Sequence, residues 1–123
     1  MICADTSVWV AFLNAETHEH VEKFREALDD NIVVMAPPVL SELISFPKLD
    51  QEDIELLSRL PIIELKKGYW QRVGQSRKSI IRQGLKARLA DALIAQCCID
   101  TKTPLLAIDQ DFKHYIDLGL KLI

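Results

Sequence analysis

A chain of 123 residues with a net charge of −3 is sized for a single domain spanning 1–123, whose core can form without covalent staples. No apolar run approaches the roughly 20 residues of a membrane span, and the opening residues lack a basic n-region and a cleavage-type motif, so a soluble, cytoplasmic protein with no membrane partner is expected. Cys3, Cys97 and Cys98 form no C-x-x-C pair, which sets aside a zinc or redox site and assigns all three to core packing.

Apolar runs and helical patterns alternate along the chain. Residues 1–4, 32–36, 61–65, 104–108 and 120–123 read as short buried strands. Helices are expected at 7–14, 18–29, 38–47, 52–60, 67–83, 90–101 and 110–116. In 18–29, Val21, Phe24, Ala27 and Leu28 share one face while Glu22, Arg25 and Glu26 point away. Pro38 suits a first helical turn, Pro47 and Pro61 stop the helices before them, and Gly84 ends the long basic helix. Within that helix Tyr69, Val73 and Ile80 form the inner stripe, Trp70 and Ile81 widen it, and Arg77, Lys78 and Arg82 stay outside. Such a βαβ alternation predicts an α/β fold with a mostly parallel sheet covered by helices on both faces.

Charge is strongly segregated. Lys66, Lys67, Arg72, Arg77, Lys78, Arg82, Lys86 and Arg88 fall in a stretch without a single acid, which leaves seven basic against eighteen acidic residues elsewhere, a net of −11. A basic surface beside an acidic pocket suits a polyanion held over a cation. The bland alternative is a solvated helix face.

Four carboxylates stand among apolar neighbours. Asp5 ends the run Met1–Ala4, Asp109 ends Leu105–Ile108, Asp91 interrupts Leu89–Ala95, and Glu42 lies within Val39–Ile44. A desolvated carboxylate costs several kcal/mol unless something compensates it. Each has a local explanation: Asp5 and Asp109 as helix caps, Asp91 as an i,i+3 partner of Arg88, Glu42 as a first-turn acid on a helix dipole. Together they suggest one site, because ligands of open parallel sheets bind beyond the carboxyl ends of the strands. If the first and fourth strands are neighbours, Asp5 and Asp109 meet there. Two carboxylates about 4 Å apart repel by roughly 4 kcal/mol at an effective dielectric near 20, so four need a cation or must protonate. All-oxygen ligands favour Mg²⁺ or Mn²⁺, which can activate water against a phosphodiester. Asp111 is then a secondary ligand, and Ser7 a hydrogen-bonding neighbour.

The segments I-C-A-D-T-S-V-W at 2–9, P-P-V-L-S-E-L at 37–43, L-A-D-A-L-I-A at 89–95 and L-L-A-I-D-Q-D-F at 105–112 resemble, in order and spacing, the PIN domain family, and in particular its VapC-like toxins of type II toxin–antitoxin pairs. The resemblance implies a three-layer α/β/α sandwich with a mostly parallel central sheet of four to five strands. It implies that Asp5, Glu42, Asp91 and Asp109 form the catalytic acidic site for Mg²⁺ or Mn²⁺. Ser7 matches the small polar position after the first Asp, and Asp111 the second acid of the D-x-D-F element. It further implies a metal-dependent endoribonuclease silenced by a cognate antitoxin whose C-terminal segment occupies the groove, and a homodimer. Arg82, Lys86 and Arg88 are the candidate contacts to the RNA backbone.

Two positions depart from the family pattern. Ala107 stands where Thr or Ser is frequent, removing a hydroxyl near the metal, and Gln96 replaces a small residue and is expected to line the groove or face solvent. Ala107 leaves a competing reading open: a catalytically weak or inactive PIN-fold protein that binds RNA or another partner. A receiver-like phosphotransfer domain is disfavoured, since the third strand ends Ile63-Glu64-Leu65-Lys66 and lacks a phosphoacceptor Asp.

Overall fold

The computed structural model describes residues 1–123. Strand β1 (Cys3–Ala4) runs parallel to β2 (Leu105–Leu106), with Cys3 opposite Leu105 and Ala4 opposite Leu106. Isolated parallel bridges join Ile2 to Val33, Met35 to Ile62 and Leu105 to Leu122. The row of segments thus runs from 62 through 33–35 and β1 to β2 and 122. The expected first and fourth strands are therefore neighbours, and the chain order reverses between them.

A regular sheet of four to five strands does not form; regular pairing is confined to β1 and β2. Proline accounts for part of the shortfall. Pro61 accepts from Met35 N at 2.7 Å and Pro104 from Cys3 N at 2.9 Å, but neither ring has an N–H with which to extend a ladder. Pro37 and Pro38 then divert the chain into a helix directly after Ala36.

Six α-helices surround this row: α1 (Thr6–Leu13), α2 (Glu19–Asp29), α3 (Pro37–Ile44), α4 (Gln51–Ser58), α5 (Tyr69–Arg82) and α6 (Leu89–Thr101). The expected last helix is instead a 3-10 helix, Gln110–Leu118, closed by Gly119 at φ 109°. Val21, Phe24 and Ala27 of α2 are buried, and Phe24 stands edge-on to Trp9 and Phe12 at centroid distances of 4.5 and 5.3 Å. All three cysteines are free and buried.

Along α5 the inner stripe is Tyr69, Val73 and Ile80. Trp70 and Ile81 do not widen it: they are 66% and 48% exposed. Each lies one residue past a buried position, a turn of about 100° that carries it off the packed face. Arg72 reaches inward instead, donating Nε and Nη2 to the Asp100 carboxylate at 2.9 and 2.7 Å and Nη1 to the Lys67 carbonyl at 2.8 Å. A Cβ on Gly68 would meet that guanidinium, and Gly68 also has φ 85°, so glycine is required there. Gln96 neither lines a groove nor faces solvent. It is buried, accepts from Ser76 Oγ at 2.7 Å and donates to Asp100 at 2.8 Å, because Asp100 and Ser76 supply the partners a buried amide needs.

Candidate metal centre

Asp5 follows β1 directly and caps α1. It is 4% exposed, its oxygens accept from Ser7 Oγ at 2.8 Å, and Oδ1 also accepts from Val8 N at 3.3 Å. Burial pushes its carboxyl up from 3.8 to about 6; the Ser7 and Val8 bonds oppose the rise and the charge of Asp109 adds to it. Capping and site membership are therefore compatible here.

Asp109 caps the 3-10 helix by accepting from Asp111 N at 2.9 Å. That bond turns the chain so that Asp111 joins Asp91 and Asp109, with ligand oxygens of all three within 4.8 Å of one another. Asp91 stands in the first turn of α6. Its carboxyl is raised by burial first and by the charge of Asp109, with smaller contributions from Asp111 and Glu42, against the lowering effect of Arg88. Arg88 makes no ion pair with Asp91, since the only Lys or Arg ion pairs are Arg25–Glu22 and Arg72–Asp100. Asp91 Oδ2 is buried and has no hydrogen-bond partner.

Glu42 lies in the second turn of α3 and not the first, as the helix begins at Pro37. Thr6 Oγ1 donates to its Oε1 at 2.6 Å, so α1 and α3 are joined at the edge of the site. Sequence reading had no signal for that contact beyond the position of Thr6 next to Asp5. Asp5 and Glu42 thus border the compact group of Asp91, Asp109 and Asp111, and Asp111 sits inside it. Ala107 is half-buried and brings no hydroxyl, but Thr6 and Ser7 bring two from α1. Arg82, Lys86 and Arg88 are all exposed.

The donor set fits a hard divalent cation: carboxylate and hydroxyl oxygens only, and one buried carboxylate oxygen without a donor. No thiol or imidazole belongs to the group. Beside Glu42 runs an apolar groove of about 400 Å³ between α3, α5 and α6, with Pro38, Tyr69, Trp70 and Leu93 in its walls.

The PIN domain family model matches residues 2–118. The chain belongs to the PIN domain family. Among solved structures, that of VapBC2 from Rickettsia felis bound to a promoter DNA fragment is 24% identical with a TM-score of 0.77, covering 100% of this chain and 98% of that one. VapBC-1 from nontypeable Haemophilus influenzae is 20% identical with a TM-score of 0.77, covering 100% and 97%. DNA-bound VapBC from Salmonella typhimurium is 19% identical with a TM-score of 0.73, covering 100% and 98%. No curated protein matches the chain. At these identities the likeness establishes the PIN-like α/β fold of the chain. No helix is long and apolar enough to cross a membrane.

Proposed function

We propose that this PIN domain protein is a Mg²⁺- or Mn²⁺-dependent endoribonuclease and the VapC-like toxin of a toxin–antitoxin pair. The observation that carries the proposal is the convergence of Asp91, Asp109 and Asp111 within 4.8 Å where the strand order reverses, bordered by Asp5 and Glu42. The VapBC complexes among its structural neighbours support an antitoxin as its partner.

In this reading Asp91, Asp109 and Asp111 hold the cation, and Asp5 and Glu42 complete the acidic site directly or through water. A bound Mg²⁺ or Mn²⁺ lowers the pKa of water and neutralises charge developing on a phosphodiester. Ser7 and the Val8 amide fix the Asp5 carboxylate. Thr6 fixes Glu42 through Oε1, which leaves Oε2 to accept the proton of the attacking water. Water oxygen bonds to phosphorus, the bond to the leaving oxygen breaks, and that oxygen takes a proton from solvent. Arg82, Lys86 and Arg88 attract the RNA backbone.

The test is cleavage of a mixed RNA by purified, partner-free protein with Mg²⁺, Mn²⁺ or EDTA. Cutting is expected with either metal and none with EDTA. Joint replacement of Arg82, Lys86 and Arg88 by Gln is expected to raise KM and flatten the salt dependence, since each lost phosphate contact removes about 0.7 from the log–log slope for single strands. Metal-independent RNA binding without cleavage would favour the non-catalytic reading.

A homodimer is part of the same proposal. Trp70, Ile81 and Leu89 are 66%, 48% and 55% exposed and lie along α5 and at the start of α6; Trp70 shares the apolar groove with Glu42, while Ile81 and Leu89 line a second hollow with Arg77, Lys78 and Arg82. Light scattering is expected to report a dimer for the wild type and a monomer for Trp70→Glu; a dimer in both would move the interface elsewhere.

A further inference from the structure

The second hollow runs along the C-terminal half of α5 and reaches Leu89 at the start of α6. It measures about 310 Å³ and is lined by Gly74, Arg77, Lys78, Ile81, Arg82 and Leu89, which puts it at the small end of small-molecule sites. Positions 74, 77, 78, 81 and 82 recur at helical spacing and so share one face. Ile81 and Leu89 are exposed aliphatic walls, and the other side chains are all cations.

None of the three cations is neutralised by the protein. Arg77 donates Nε to the Ala87 carbonyl at 2.8 Å, which pins its guanidinium and leaves both Nη groups without a protein partner. Lys78 and Arg82 belong to no ion pair, and residues 66–88 contain no acid. Lys78 and Arg82 also stand four positions apart, where like charges destabilise a helix. Gly74 supplies space. It lies inside α5, where glycine weakens a helix relative to alanine. A Cβ built there meets nothing within 4 Å, so packing does not call for glycine. The missing side chain leaves the helix backbone bare within the hollow.

We propose that this hollow is a nucleotide subsite for the RNA strand: Arg77, Lys78 and Arg82 hold a phosphate, and the base or ribose lies over Gly74 against Ile81 and Leu89. The proposal rests on the nuclease reading above and adds a shaped site, which general attraction of a backbone does not need. Leu89 precedes Asp91 by two positions, a rise of about 3 Å along α6, so the occupant belongs to the strand close to the bond being cut. An unstacked base offers a flat face that aliphatic walls can cover. A second copy of the chain suits the hollow less well. A two-fold contact uses the same patch on both copies and would set cations against cations, so the dimer contact falls to the groove at Trp70.

The experiment is fluorescence anisotropy of a short labelled single-stranded RNA of mixed sequence, titrated with the full chain in EDTA. Wild type, Gly74→Leu and Lys78→Gln are compared, with melting temperature, light scattering and Mn²⁺-dependent cleavage measured on the same preparations. Gly74→Leu fills the hollow and removes no charge. It is expected to weaken RNA binding by about tenfold or more with the salt dependence unchanged. Its melting temperature is expected to equal or exceed that of wild type, since leucine favours a helix over glycine. Lys78→Gln is expected to lower the log–log salt slope by about 0.7. Wild-type affinity in Gly74→Leu, with Mn²⁺-dependent cleavage intact, removes the subsite and leaves the nuclease reading standing. Weaker binding with a lower melting temperature makes the effect one of folding and also overturns the subsite. A dimer that becomes a monomer in Gly74→Leu gives the hollow to a second copy, and displacement of the RNA by polyglutamate at equal charge gives it to an acidic protein; either result refutes the proposal, as does a wild type that binds no RNA. A wild type that binds RNA but never cuts it, with binding weakened in Gly74→Leu, supports the subsite and overturns the nuclease reading.

Discussion

Replacing Asp91 with Asn is expected to reduce metal-dependent RNA cleavage by at least about a hundredfold, because removing a ligand costs no less than removing the groups that orient one. The same change is expected to leave the metal-free protein as stable as wild type or more so. Asp91 Oδ2 is buried without a donor, and the carboxylate is disfavoured by burial and by the charges of Asp109, Asp111 and Glu42. Neutralising it relieves that repulsion, whereas an ordinary structural acid would lose stability on the same change. Such an opposition between activity and stability is typical of groups held in place for function. Melting temperature and initial rate, measured on one preparation, check both halves. A fall in melting temperature with activity retained would mark Asp91 as structural.

The second large effect is on pH dependence. Asp5 rises from 3.8 to about 6 in the folded protein, so between those values the native state binds more protons than the unfolded state. Stability of the metal-free protein must then fall as pH rises through that window. Two protonation midpoints this far apart correspond to about 3 kcal/mol, to which Asp91 adds in the same direction. Asp100 acts oppositely and at lower pH: burial favours its protonation, but the bonds from Arg72 and Gln96 outweigh burial and hold its carboxyl below the usual value of 3.8. Its contribution is lost only as pH falls further. Unfolding measured in EDTA from acid to neutral pH is expected to show the decline, and Asp5→Asn, which keeps a capping side chain, to flatten it. Saturating Mn²⁺ is expected to reverse the trend, because a cation binds the ionised carboxylates. A stability that rises steadily through this window without metal would contradict the burial of Asp5.

Periodicity and breakers made the helices legible, since a face such as Val21–Phe24–Ala27 recurs at helical spacing and prolines mark the ends. The acids were legible because a carboxylate after an apolar run is conspicuous. What remained hidden depends on pairing between distant segments. A five-segment parallel row with only two two-residue strands cannot be told from a full sheet by hydropathy, because both need the same apolar runs. Trp70 and Gln96 reverse their expected environments for the same reason. The exposure of Trp70 depends on how α5 is rotated, and the burial of Gln96 depends on Ser76 and Asp100 being there to receive it. The Thr6–Glu42 contact spans 36 positions and follows from the packing of α1 on α3.

The most direct test of the central claim is a crystal structure of the protein soaked with Mn²⁺, read from the anomalous scattering of the metal. The account predicts a peak within coordination distance of carboxylate oxygens from Asp91, Asp109 and Asp111, absent in Asp91→Asn. A peak elsewhere, as at the neighbouring rings of His18 and His20, or no peak in fully occupied soaks, would contradict it.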